Sequence, residues 1–127
     1  MEFKDKRVII TAGAGGIGRE TTRLFVEAGA KVFICDIDET ALENTLSSFD
    51  NVAGARVDVS NPDQFKSFFN KADQYLGGLD IMINNAGTAG PTALIEDISL
   101  EEWSNCVNIN LTSAFLGTQE SIPRIKA

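Results

Sequence analysis

The chain has 127 residues, enough for one domain with a buried core, and its 43% hydrophobic content is that of a globular protein. A formal net charge of −7 argues against nonspecific nucleic-acid binding, and no apolar run is long enough to cross a bilayer. With no histidine and only two distant cysteines, Cys35 and Cys106, a zinc centre and a histidine-based triad are excluded within the chain.

The opening MEFKDKRV carries no apolar signal segment, so the cytoplasm is the expected compartment. Val8, Ile9 and Ile10 then make a short apolar run, as a strand buried on both faces requires. Gly13, Gly15, Gly16 and Gly18 follow within six positions, where backbone must turn sharply or approach another group closely. Ile17, Thr21, Leu24, Phe25 and Ala28 recur at helical spacing and predict an amphipathic helix ending at Gly29. Val32–Ile34 is the second buried strand and leads to Asp36. A strand, a glycine turn and a helix aim free N–H groups and a helix dipole at one spot, which suits a diphosphate. An acid at the tip of the next strand, eighteen residues past Gly18, suits the hydroxyls of an adenosine ribose, though a solvated charge at a strand end would look the same.

Beyond Asp36 the alternation continues. Residues 40 to about 48 predict a short helix with Leu42 and Leu46 inward, and Val52–Val57 a third strand ending at Asp58. Asn61-Pro62 is a strong helix start, after which Phe65, Phe68, Phe69, Ala72 and Leu76 share one face until Gly77-Gly78. Leu79–Ile83 reads as a fourth strand, followed by Asn84-Asn85-Ala86-Gly87. Ser99 with Glu102 forms a capping box, and the last helix runs from about Leu100 towards Ile122, with Pro123 near its end. Four strands alternating with helices predict an α/β fold, a doubly wound parallel sheet of order 3-2-1-4. The helices after the first and fourth strands go to opposite faces, and ligands of such sheets bind outside the strand ends at that switch point. The glycine turn, Asp36, Asp58 and the Asn84–Gly87 loop all fall on that rim.

With these elements in place, the sequence resembles the short-chain dehydrogenase/reductase family, in its N-terminal cofactor-binding half. Thr11–Gly18 (TAGAGGIG) is similar to the family's TGxxxGIG turn, Asp58-Val59 to its acid-apolar pair, and Asn84–Gly87 to its NNAG motif. Glu102-Trp103 and Asn108–Leu111 (NINL) resemble its fourth-helix signature. The resemblance implies a Rossmann-type domain over residues 1–127. It implies that Ala12, Gly13, Gly15 and Ile17 line the diphosphate and ribose. Asp36 would take the adenosine ribose, with Ile37 beside the adenine and Asp58 and Val59 in contact with it. Asn85, Ala86 and Gly87 would flank the ribose next to the nicotinamide, and Asn110 would be the catalytic asparagine, in a kinked helix around a proton-relaying water. It further implies hydride transfer between a nicotinamide cofactor and an alcohol or ketone, and a dimer or tetramer formed through the fourth helix. Because Asp36 would accept the free 2′-hydroxyl of NAD and repel the 2′-phosphate of NADP, NAD is the expected cofactor.

Simpler roles exist for several of these residues: Asp58 as a cap, Asn84 and Asn85 as turn formers, Asn110 as a helix asparagine satisfied locally. Trp103 and Val107 read as core, Cys35 as a small buried apolar group, and Arg19 as a surface or phosphate-side charge. Two departures stand out. Ala12 replaces the motif's first glycine, and the family's catalytic serine and Tyr-x-x-x-Lys pair have no counterpart, since the only tyrosine, Tyr75, is followed four residues later by Leu79. An apolar fourth strand left at a sheet edge is also unfavourable. The expectation is therefore an incomplete domain, its C-terminal strands and catalytic part missing, that turns over nothing by itself. The alternative is a non-catalytic dinucleotide-binding module, or a half-domain that needs a complementary chain. A flavin-binding domain is disfavoured by Asp36 and the glycine spacing.

Overall fold

The first strand pairs in parallel with two neighbours at once, and that pairing fixes the architecture. The computed structural model describes residues 2–127. In it β1 (Arg7–Thr11), β2 (Lys31–Asp36), β3 (Val52–Arg56) and β4 (Ile81–Ile83) form one parallel sheet of order 3-2-1-4. Ile10 lies in register with Ile34 on one side and Ile83 on the other. The connecting helices are α1 (Gly16–Glu27), α2 (Glu39–Ser48) and α3 (Pro62–Leu76), and α4 (Leu100–Val107) and α5 (Ser113–Lys126) follow β4.

Side chains alternate across the pleat, so each strand feeds two cores. Val8, Ile10, Val32 and Ile34 face α1 and α2 and pack with Leu42 and the half-buried Phe25, Val26 and Leu46. Ile9, Phe33 and Cys35 face α3, where Phe65, Phe68 and Phe69 are almost wholly buried, and Leu116 of α5 packs against the same cluster. Truncating any of these three phenylalanines would remove roughly 3–5 kcal/mol of packing. The helices after β1 and β4 thus lie on opposite faces, which opens the sheet between those two strands at its carboxyl rim.

Several boundaries and faces differ from the sequence reading. β3 is one residue shorter than Val52–Val57, and β4 begins at Ile81, two residues later than Leu79, although the Asp80 N–H already donates to the Arg7 carbonyl at 2.9 Å. The stripe assigned to α1 is turned. Ile17 and Leu24 are exposed, at 79% and 54%, while Gly18 and Thr22 face the sheet. Small residues there let the helix lie close, and the Thr22 hydroxyl donates to the Gly13 and Gly18 carbonyls, 2.9 Å each. The last helix continues through Pro123 to Lys126 and contains a π-helical turn at Asn108–Thr112. Trp103 is exposed and not core, and Val107 is half-buried. Among the described residues no helix is long and apolar enough to cross a membrane.

At the opposite rim Arg7 and Asp80 join the starts of β1 and β4. Arg7 Nε and Nη2 donate to the two carboxylate oxygens of Asp80 at 3.0 and 3.1 Å, and the Arg7 N–H donates to Oδ2 at 2.9 Å. These hydrogen bonds from Arg7, side chain first and backbone second, hold the Asp80 carboxyl down to about 2. A carboxyl depressed by folding contributes stability above its ordinary value near 4, and that contribution is lost as pH falls towards 2. Both side chains are partly exposed, so screening limits the effect. Asp80→Asn is expected to cost about 1 kcal/mol at pH 7 and much less near pH 2. Urea unfolding at both pH values checks this; a loss of equal size at each would contradict it.

Candidate functional site

The glycine turn leaves β1 through Thr11, which is 2% exposed, and reverses at Ala12. Ala12 has φ +52°, a left-handed conformation that a glycine would bear without its Cβ penalty, so the missing first glycine is replaced by mild strain rather than by a different path. Gly13 lies inside the turn, donating its N–H to the Cys35 carbonyl at 3.0 Å, and it shapes the turn from beneath. Gly15 is the N-cap of α1 with no side-chain cap, and no acidic residue stands in the helix's first turn. A Cβ built on Gly15 or Gly16 would meet nothing within 4 Å, and no side chain caps the helix, so this end of α1 is open. Ile17 stands exposed beside them. This is a cradle of the right charge and shape for a diphosphate.

Asp36 ends β2 next to that turn. One carboxylate oxygen accepts the Ala14 N–H at 3.2 Å and the other accepts the Asp38 N–H at 3.0 Å. The carboxylate is therefore oriented from below and half-exposed towards the rim. Two neighbouring cations are engaged elsewhere: Arg19 donates to Ser48 Oγ and lies over the Phe49 ring, and Arg56 donates to the Ile37 carbonyl. After β3, Asp58 accepts the Ser60 N–H and hydroxyl at 2.9 and 2.6 Å, while Asn61 caps α3 by accepting the Gln64 N–H at 3.1 Å. The cap before α3 is thus Asn61, and Asp58 forms the turn ahead of it.

Beyond β4, the Asn85 and Ala86 N–H groups both donate to Thr11 Oγ1 at 2.9 Å. Asn85 Nδ2 donates to the Ala12 carbonyl at 3.3 Å and so ties the loop to the glycine turn. Asn84 turns away and donates to Thr118 Oγ1 at 3.3 Å. Asn110 sits in the π-helical turn and binds the loop as a neighbouring strand would. Its Oδ1 accepts the Thr88 N–H at 3.1 Å, and its Nδ2 donates to the Thr88 and Cys106 carbonyls at 2.9 Å each. The bond to Cys106 is local and the pair to Thr88 is not, so Asn110 is more than a self-satisfied helix residue.

These pieces enclose a cleft of ≈ 330 Å³. Ala12, Asp36, Ile37, Asp58, Val59, Ala86 and Gly87 line it. Gly13, Gly15, Ile17, Asn85 and Asn110 are not among its lining residues; Asn85 and Asn110 reach it through their bonds to Ala12 and Thr88, which are. Sequence reasoning missed Val57, Thr88 and Ile109, which also line it, and gave Cys35 no place there. Cys35 is fully buried, and burial pushes its thiol up to about 12, so it serves the cleft as an apolar floor. Tyr75 lies at the other rim, with Lys31 Nζ 4.3 Å from its ring centroid, and burial raises the phenol. Among the described residues no group of three or more metal-ligating side chains is gathered in one place.

The family model described as short chain dehydrogenase matches residues 6–127. A short chain dehydrogenase/reductase of Colletotrichum higginsianum, dpchG, is 36% identical over 112 residues, covering 85% of this chain and 42% of that protein. A 3beta-hydroxysteroid dehydrogenase 2 of Eggerthella lenta is 34% identical over 90% of this chain and 45% of its own length. The crystal structure of a 3-ketoacyl-(acyl-carrier-protein) reductase from Brucella melitensis, complexed with NADH, superposes with a TM-score of 0.92 at 28% identity. That match covers 98% of this chain and 51% of the reductase. The chain spans about half the length of the curated relatives it matches. With the family model spanning nearly every residue, and the sheet order and rim geometry in agreement, the chain belongs to the short-chain dehydrogenase family.

Proposed function

We propose that this chain is the cofactor-binding half of an NAD-dependent oxidoreductase that moves hydride between a nicotinamide and an alcohol or ketone. The observation that carries the reading is Asp36. Its carboxylate is fixed by two backbone N–H groups at the cleft, on the rim where the amides of the glycine turn converge. Bound there, NAD supplies the two-electron exchange. The residues of the chain hold and orient it. The first-turn amides of α1 and the small Gly15 face the diphosphate, and Asp36 accepts the ribose hydroxyls with Ile37 at the adenine edge. Asp58 and Val59 close the adenine end, and Asn85, Ala86 and Gly87 border the inner ribose. Both ends of the Asn110 amide are taken by backbone groups, so Asn110 contributes by holding the Thr88 loop and the π-helical turn in place. The 127 residues contain no Tyr-x-x-x-Lys pair to move the proton, and by themselves are expected to turn over nothing.

Titration with NADH and NADPH tests the cofactor assignment. NADH is expected to bind at least about tenfold tighter, and Asp36→Ala to narrow that gap by about tenfold, because the 2′-phosphate no longer meets a carboxylate. Equal or tighter NADPH binding by the unaltered protein would sink the assignment. One observation favours a second reading, a dinucleotide-binding module without chemistry of its own or a half-domain completed by another chain. The only tyrosine pairs with a lysine at the wrong rim. A serine and a Tyr-x-x-x-Lys encoded after Ala127 would settle for the enzyme, and a stop codon for the module. The exposed Trp103, Leu111 and Phe115 on α4, the π-helical turn and α5 are where we place the contact between subunits of a dimer or tetramer.

A further inference from the structure

Thr45 on α2 is fully buried, and its hydroxyl, like that of Thr22 on α1, reaches out of its own helix to the glycine turn. Thr21, Ser48 and Thr118, by contrast, donate only to the carbonyl four residues earlier in their own helix. Thr45 donates out of its helix, to the Ala14 carbonyl at 3.2 Å. Ala14 is itself buried in the glycine turn, and its N–H is one of the two groups that orient the Asp36 carboxylate. The Ala14 residue is thus gripped at both polar ends, by α2 on its carbonyl side and by Asp36 on its amide side. Thr45 does not line the cleft, and its hydroxyl is tied to the site through this residue.

Resting on the proposed NAD reading, we infer that Thr45 is a positioning residue for cofactor preference, holding Ala14 so that its N–H orients Asp36 for the adenosine ribose. Without the Thr45 hydroxyl, the Ala14 carbonyl is left buried without its donor and the peptide must turn towards water. Asp36 then loses one of its two anchors. The ribose hydroxyls of NADH meet a less ordered acceptor, while a 2′-phosphate meets a carboxylate freer to swing away. A general loosening of the turn, by contrast, would weaken both cofactors alike, since they share the diphosphate.

The test compares Thr45→Val and Thr45→Ser in the protein at its natural length, titrated calorimetrically with NADH and with NADPH. Thr45→Val is expected to weaken NADH by about five- to tenfold and NADPH by less than about twofold, with Thr45→Ser within about twofold of the original for both. Thr45→Ala removes the same hydroxyl without crowding and makes the same comparison if the valine variant does not fold. An unchanged NADH-to-NADPH ratio, an equal loss for both cofactors, or a serine variant as weak as the valine one overturns the role of Thr45. An original protein that binds neither dinucleotide overturns the NAD reading, and this inference with it.

Discussion

Replacing Gly18 with alanine is expected to cost the fold roughly 3 kcal/mol or more and to abolish nucleotide binding. A Cβ there would fall 1.9 Å from the Ala12 carbonyl oxygen and 2.6 Å from Asn85 Nδ2. The first of these is backbone, so no side chain can swing aside to make room. The helix must draw back from β1, which strains the Thr22 hydrogen bonds and unseats the amides that face the diphosphate. Gly15 provides the control. It has φ −144°, open to any residue, and its Cβ would meet nothing within 4 Å. Gly15→Ala should therefore unfold at nearly the original urea concentration, yet bind NADH more weakly because its methyl stands where the diphosphate settles. Urea unfolding and NADH titration of the two variants check the pair. A Gly18→Ala protein as stable as the original would contradict the packing account.

Thr11→Val carries the second large effect. The Thr11 hydroxyl oxygen accepts two backbone N–H groups at once in a nearly closed environment. Valine fills the same volume and accepts neither. The half-buried Ala86 N–H would lose its acceptor and the Asn85 N–H would keep only the Ile83 carbonyl, a loss of about 2 kcal/mol, and the Asn85–Gly87 loop would leave its place at the inner end of the cleft. Thr11→Ser keeps the acceptor and should lose only about 1 kcal/mol of packing. Amide hydrogen exchange reads the effect directly. The Asn85 and Ala86 amides are expected to exchange at least about tenfold faster in the valine variant and near the original rate in the serine variant. Unchanged protection in the valine variant would show that the loop is held by something other than Thr11.

The sheet order and the location of the rim were legible because they rest on strong local signals. These are a glycine cluster between two apolar runs, Asn61-Pro62 at a helix start, and an alternation of strand and helix that leaves few topologies. The α1 face was not legible because hydrophobicity ranks Ile17 and Leu24 above Thr22. What decides the face is how closely a helix must approach the sheet, and Gly18 with Thr22 permits that approach. Trp103 was misread for the same reason: an apolar residue on a helix stripe says that a face is apolar, not that this chain covers it. The π-helical turn around Asn110 has no spacing signature, and its reason is visible only in space, where the amide of Asn110 spans to Thr88. Thr11 and Thr45 escaped notice as site-shaping residues because a threonine at a strand end or in a helix gives no sign of which distant backbone group its hydroxyl will reach.

The most direct test of the account is a crystal structure of the protein with NADH. The diphosphate is expected against the amides of Gly15, Gly16 and Ile17, with the Asp36 carboxylate within hydrogen-bonding distance of both adenosine ribose hydroxyls. A nucleotide seated away from that turn, or a ribose that leaves Asp36 bonded only to its backbone neighbours, would contradict it.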